Sequence, residues 1–193
     1  MAREVINNGT VAGDGTGENL HDAFEKTNNN FTELYGEKGF GLYVDSLTTP
    51  SVTVTTAWTQ ITIDALGTNV LENLPLEIRG SGQLWVGNKI TPISSGDDYD
   101  GVFYMEVLSK SGSPTYMEVI IDYANATPDT VRAFTVHAQG VKDAPFKESL
   151  VIDFFVNDTF LANGGILYAR VDNGSYVIGE RNLKISRKSK NLG

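Results

Sequence analysis

Cysteine is absent from the 193-residue sequence, which removes disulfides and thiolate metal sites and leaves the redox character of the compartment unread. The fold must hold by packing alone. Histidine is nearly absent as well: His21 and His137 are the only two, with no His-x-x-x-His spacing, so no transition-metal centre or other cofactor is expected. No apolar run approaches the ~20 residues that span a bilayer, and Met1-Ala2-Arg3-Glu4 leads into no apolar stretch. Neither membrane insertion nor a secretory signal is predicted. Basic side chains are outnumbered, 15 Lys and Arg against 24 Asp and Glu for a net charge of -9, which argues against a phosphate-neutralising groove and so against a nucleic-acid partner. Proline is missing before Pro50, and all six prolines fall from there onward, so the first part of the chain is built differently from the rest.

Signs of catalysis are also lacking. A lone histidine in a predicted strand, His137, reads as structural in the absence of nucleophile-elbow spacing. Gly13 to Gly17 has neither a preceding strand nor the Gly-Lys-Ser/Thr of a phosphate loop. Nothing singles out a carboxylate pair for glycoside hydrolysis among the 24 acids. The densest acidic group, Asp97, Asp98 and Asp100 in "SGDDYDG", supplies the hard oxygens calcium prefers but lacks EF-hand spacing and its downstream Glu, so a solvated turn is the simpler reading. No enzymatic activity is expected.

What the chain does have begins at "GDGTGENLHDAFEKTNNNFTEL", residues 13–34. The spacing predicts a helix over 18–35, started after Gly15-Thr16-Gly17, capped by Asn19, with Glu18 and Asp22 near the positive end of its dipole and Gly36 and Gly39 beyond its end. Leu20, Phe24, Thr27, Phe31 and Leu34 follow at intervals of four, three, four and three, the a/d seam of a heptad pattern. Asn28, Asn29 and Asn30 weaken the helix by some tenths of a kcal/mol each, so its order has to come from packing. Two arrangements satisfy that: the helix lies along its own domain and buries Phe24 and Phe31 there, or it self-associates about a symmetry axis, most simply as a trimer or dimer.

From about Phe40 the hydrophobic period switches to two. Met117, Val119, Ile121 and Tyr123 alternate with Glu118, Ile120 and Asp122, as Leu183 and Ile185 do with Lys184 and Ser186. Further runs at residues 51–55, 59–63, 84–86, 102–108, 131–138, 150–156 and 166–171 read as short strands. Ser95-Gly96-Asp97-Asp98, Ser111-Gly112-Ser113-Pro114 and Asn163-Gly164-Gly165 read as turns, and Asp172-Asn173-Gly174-Ser175 as a tight hairpin. The fold class is mainly β: an antiparallel, jelly-roll-like β-sandwich over residues 40–193, preceded by an extended segment and one helix over 1–39.

Two further features bear on surfaces. Trp58, Trp85, Tyr99, Tyr104 and Tyr116 are the candidate surface-binding aromatics, since such rings stack on sugars, although a core or subunit interface is their ordinary place. Arg181, Lys184, Arg187, Lys188 and Lys190 crowd the last 13 residues with no acid among them. That reads as an edge strand followed by a solvated end, or else as a contact with an acidic neighbour or an anionic host surface.

Asp14-Gly15-Thr16-Gly17, Leu20, Ala23-Phe24, Lys26, Asn28, Asn30-Phe31 and Glu33-Leu34 together resemble a segment near the N-terminus of tailed-bacteriophage fibre and tail-associated proteins. The resemblance covers about an eighth of the chain. Glu18, His21 and Thr27 stand where that pattern commonly has Asp, Arg and Ile. The resemblance implies a structural virion protein, assembled in the host cytoplasm, a homotrimer whose N-terminal segment joins other virion proteins and whose distal β-sandwich contacts a host surface glycan or protein. A head fibre, capsid decoration or neck or tail adaptor without a receptor is the alternative, with a polysaccharide hydrolase behind both.

Overall fold

The computed structural model describes residues 5–7, 15–31, 38–47, 51–75, 77–78, 84–123, 131–136 and 145–189, with backbone alone for 30–31 and 131–136. Helix α1 spans Leu20–Phe31, followed by β1 Gly39–Val44, β2 Val52–Val54, β3 Thr59–Gln60, β4 Trp85–Val86 and β5 Lys89–Ile90. Then come β6 Asp98–Ser111, β7 Met117–Asp122, β8 Val131–Val136, β9 Phe146–Phe155, a short helix α2 Asp158–Asn163, β10 Ile166–Val171 and β11 Ser175–Ser189.

Sheet 1 has the order β1-β11-β6-β9, with β2 also against β11, and sheet 2 the order β3-β10-β7-β8. All pairings between named strands are antiparallel. From β6 onward the chain crosses between the sheets: β6 in the first, β7 and β8 in the second, β9 back in the first, β10 in the second, β11 in the first. That winding of antiparallel strands over a shared core is jelly-roll connectivity. Period-two alternation produces it: along β9 the residues Leu150, Ile152 and Phe154 are buried and Val151, Asp153 and Phe155 exposed.

The core is closed at one end by an aromatic chain. Tyr99 of β6 stacks on Phe154 of β9 at 5.5 Å, Phe154 meets Phe160 of α2 at 5.5 Å, and Phe160 stacks on Tyr123 at 4.4 Å. Asn157 caps α2 by accepting the Phe160 N–H at 2.8 Å, and Gly164, at φ 73, ends it. The turn read at 163–165 is thus the end of a helix the sequence reading lacks.

Asp172-Asn173-Gly174-Ser175 is a tight turn but not a hairpin, because β10 and β11 lie in different sheets and the turn carries the chain between them. Gly174 sits at φ 71, and a Cβ there would lie 1.9 Å from the Ser111 carbonyl oxygen. This crossover packs directly on the β6 to β7 crossover at Gly112. Asp172 fastens the two, accepting the Thr115 N–H at 2.9 Å and the Thr115 hydroxyl, and those hydrogen bonds hold its carboxyl below the ordinary carboxylate range. A depressed folded value contributes stability above the unfolded value and loses it as pH falls through the folded one. Wild type is therefore expected to resist urea better than Asp172→Ala at pH 7, with the gap closing under acid; a gap independent of pH would contradict this.

Candidate functional site

Helix α1 is organised by its own surroundings. The Asn19 carboxamide oxygen accepts the Asp22 N–H at 3.0 Å, so Asn19 is the cap. The preceding chain folds back on it: the Glu18 N–H donates to the Asn7 carbonyl at 2.9 Å, Asn7 Nδ2 to the Thr16 carbonyl at 3.0 Å, and Lys26 Nζ to the Val5 carbonyl at 3.1 Å while pairing with Glu18. Thr27 Oγ1 donates to the Ala23 carbonyl at 2.8 Å, which satisfies its hydroxyl within the helix. Leu20 and Phe24 nevertheless stay 72% and 59% exposed. Phe24 is therefore not buried along its own sandwich. The Phe31 side chain and Leu34 lie outside the described residues.

His21, Asp22 and Glu25, all exposed, bring one ligand atom each within 4.8 Å of one another. The Asp22 carboxylate already accepts the Asn19 side-chain amide at 2.8 Å. One histidine and two acids on a single helical turn form a grouping that the absence of paired histidines does not reveal. His137 lies outside the described residues.

The five aromatics do not form one surface. Trp85 is buried, its Nε1 donating to the Ile63 carbonyl at 3.0 Å, and Tyr99 is buried with its hydroxyl donating to Asp97 at 3.0 Å. Both are core residues rather than surface-binding ones, because each has an internal partner for its polar atom. Burial, and then the Asp97 charge, push the Tyr99 hydroxyl upward from its ordinary value. Trp58 is half-buried beneath the Arg170 guanidinium, 4.4 Å from the ring centroid, and Arg170 also pairs with Glu118. Tyr116 is half-buried. Tyr104, 41% exposed, faces outward from sheet 1.

The acidic cluster is divided. Asp97 is fully buried, 3.5 Å from the buried Arg187, which also pairs with Glu77. It is no solvated turn residue, since a guanidinium and the Tyr99 hydroxyl already occupy its carboxylate. Asp98 and Asp100 belong to strand β6, not to a loop.

The basic C-terminal run is likewise not an edge strand, although Lys188 and Ser189 at its described end are exposed. β11 lies inside sheet 1, between β1 and β6, and Arg181, Arg187 and Lys188 answer acids elsewhere in the fold. Arg181 Nη2 is 2.7 Å from Asp45 Oδ2, both buried. Lys188 pairs with Asp153, which raises its pKa, and Lys184 lies 4.5 Å over the Phe40 ring. Lys190 lies outside the described residues.

The Asp45–Arg181 pair supports the loops where β1 ends. Asp45 Oδ1 accepts the Asp64 N–H at 3.2 Å, and Asp64 in turn accepts the N–H groups of Ser46 at 2.9 Å and Leu66 at 3.0 Å. The Trp85 indole and Asn88, whose Oδ1 accepts the Ile63 N–H at 2.8 Å, tie the β4–β5 hairpin to the same region. The result is a cleft of about 570 Å³ lined by Ile63, Ala65, Leu66, Asn69, Trp85 and Val86. Leu47 (φ 63) and Ala65 (φ 54) hold left-handed backbone here, which is costly for residues other than Gly, Asn and Asp, whereas Asn88 (φ 62) takes it as an ordinary turn residue of the β4–β5 hairpin. Leu47, Leu66 and Val86 remain 69%, 77% and 54% exposed.

A second concavity of about 380 Å³ lies on the outward face of sheet 1, around Tyr104, Glu106, Lys147, Glu148, Glu180 and Asn182. Lys147 Nζ is 3.2 Å from Glu180, whose carboxyl is held below its ordinary range by that contact. Among the described residues no helix is long and apolar enough to cross a membrane.

No family model matches the chain, and no curated protein matches it. Among solved structures, PRD1 vertex protein P5 is similar at 11% identity and a TM-score of 0.45, over 80% of this chain and 98% of that one. Bacillus endospore appendages, described as a novel family of disulfide-linked pili, are similar at 11% identity and 0.36, over 80% and 93%. Eiger TNF from S. frugiperda is similar at 10% and 0.39, over 75% and 97%. At these TM-scores they assign neither a family nor a function.

Proposed function

We propose that this chain is a structural protein of a tailed-phage virion, a trimeric short fibre or spike held by its N-terminal segment and touching the host surface with its distal loops. The observation that carries the reading is α1: a capped, internally braced helix whose Leu20 and Phe24 are displayed rather than buried, in the stretch whose residues resemble the phage segment. An apolar seam on a helix of poor intrinsic propensity calls for a partner, and sister helices together with the particle supply one.

The direction of β1 supports a distal contact. The N-terminal segment leads into β1 at Gly39, and β1 runs to Val44, so Leu47 and Leu66 lie at the far end, about 20 Å from the entry. There the buried Asp45–Arg181 pair and Asp64 hold strained loops that present apolar side chains beside a cleft. Fluorescent full-length protein is expected to stain host cells, and Leu66→Asp to reduce staining at least tenfold without altering its circular dichroism. Background staining by wild type would remove the receptor role and favour an adaptor or decoration protein.

A further inference from the structure

Tyr104 stands in the concavity on the outward face of sheet 1, and strand register sets hydrogen-bonding side chains around it. Ser149 of β9 and Asn182 of β11 lie opposite it on either side, and Lys147 lies opposite Glu106 at the next outward position. Between Ile178 and Arg181, β11 carries one residue more than the facing stretch of β6, a bulge that leaves both of these in the core and delivers Glu180 to the concavity. Glu180 joins the group together: Oε2 is 3.2 Å from Lys147 Nζ, and Oε1 accepts the Asn182 side-chain amide at 3.1 Å. Asn182 Oδ1 in turn accepts the Asp45 N–H at 3.3 Å. These contacts fix three side chains without exhausting them, because a carboxylate oxygen keeps a second lone pair, an ammonium further protons and an amide nitrogen a second proton. The Tyr104 ring is 41% exposed, and no ring or cation among the described residues stacks on it.

That chemistry selects a ligand class. An apolar molecule would strip water from the carboxylates without replacing its hydrogen bonds, which is costly. An anion would meet three carboxylates, Glu106, Glu148 and Glu180, against the single cation Lys147. An uncharged pyranose meets both constraints: its C–H face lies on an aromatic ring, while its hydroxyls donate to a carboxylate and accept from an ammonium or an amide. The volume of about 380 Å³ lies within the range of small-ligand sites. We infer that this concavity binds an uncharged sugar, with Tyr104 against the ring and Glu180, Asn182 and Lys147 on its hydroxyls. The site is separate from the distal cleft, and sugar binding does not depend on the virion role.

Saturation-transfer NMR on the full-length chain tests it, with the methyl glycosides of glucose, galactose, mannose and N-acetylglucosamine as probes and sialic acid as the anionic control. At least one of the uncharged glycosides is expected to receive saturation, with an affinity insensitive to salt, and sialic acid to receive none. Tyr104→Ala is expected to weaken that binding at least tenfold with unchanged circular dichroism, and Tyr104→Phe, which keeps the ring, to weaken it less. Lys147→Met removes a hydroxyl donor at a side chain 71% exposed, so its expected loss of about threefold reads the site independently of any part the tyrosine plays in folding. Leu66→Asp, at the distal cleft, is expected to leave glycoside binding unchanged, which separates this site from the host contact proposed above. Four silent glycosides, a signal that survives both Tyr104→Ala and Lys147→Met, or sialic acid bound as tightly as the uncharged sugars would overturn the inference.

Discussion

Arg181→Met is expected to destabilise the sandwich by about 3–5 kcal/mol, because it leaves the Asp45 carboxylate buried without its cation. Arg181 is fully buried in the middle of β11, and Asp45 follows directly on β1. The pair is not a surface ornament: Asp45 also receives the Asp64 N–H, and Asp64 holds the backbone of Ser46 and Leu66. Removing the guanidinium therefore disturbs the core and the distal loops through a single connected set of hydrogen bonds. Urea unfolding should show the loss as a lower midpoint at unchanged slope. The double variant Asp45→Leu/Arg181→Met should recover much of it, since replacing a buried pair with apolar groups is often close to neutral. A loss below ~1 kcal/mol for Arg181→Met, the range of exposed pairs, would contradict a desolvated bridge.

That pair also explains a misreading of the sequence. Five basic residues near the end of the chain look like a solvated, aggregation-resistant edge because charge and position are all that composition reports. Alternation did reveal Leu183 and Ile185 as a strand. What it cannot reveal is that β11 is central, since its partners β1 and β6 lie far off in the chain, and the acids that neutralise Arg181 and Arg187, at 45, 77 and 97, are equally remote. For the same reason Asp97 passes for a solvated turn carboxylate and Trp85 and Tyr99 for surface rings: burial is set by long-range pairing.

Local signals fared according to their geometry. The Asn19 cap was legible because capping acts within three residues. Gly174 was legible as a left-handed turn position, but not whether that turn closes a hairpin or crosses a sandwich. Among the described residues a tight hairpin joins β4 to β5, turning at Gly87 and Asn88 with both φ values positive, where the sequence carries a Gly-Asn pair.

The second large effect concerns attachment. Phe24→Asp is expected to weaken the hold of the protein on the particle by at least ~100-fold. Burying a phenylalanine against a partner is worth about 1.5–3 kcal/mol, placing a carboxylate in the same seam adds a desolvation cost, and roughly 1.4 kcal/mol corresponds to a factor of ten. Phe24 takes no part in the hydrophobic core, so thermal unfolding of the sandwich should not shift. A lowered melting temperature for Phe24→Asp would instead mean that α1 packs on its own head.

Membership of a virion is the property on which this protein's function turns. Gold-labelled antibody against the full-length protein, applied to particles purified from host lysate, is the direct measurement. Label fixed at one structural position on wild-type particles, and lost from particles assembled with Phe24→Asp, is the predicted result. Unlabelled particles, with the chain confined to the soluble fraction of the lysate, would contradict it.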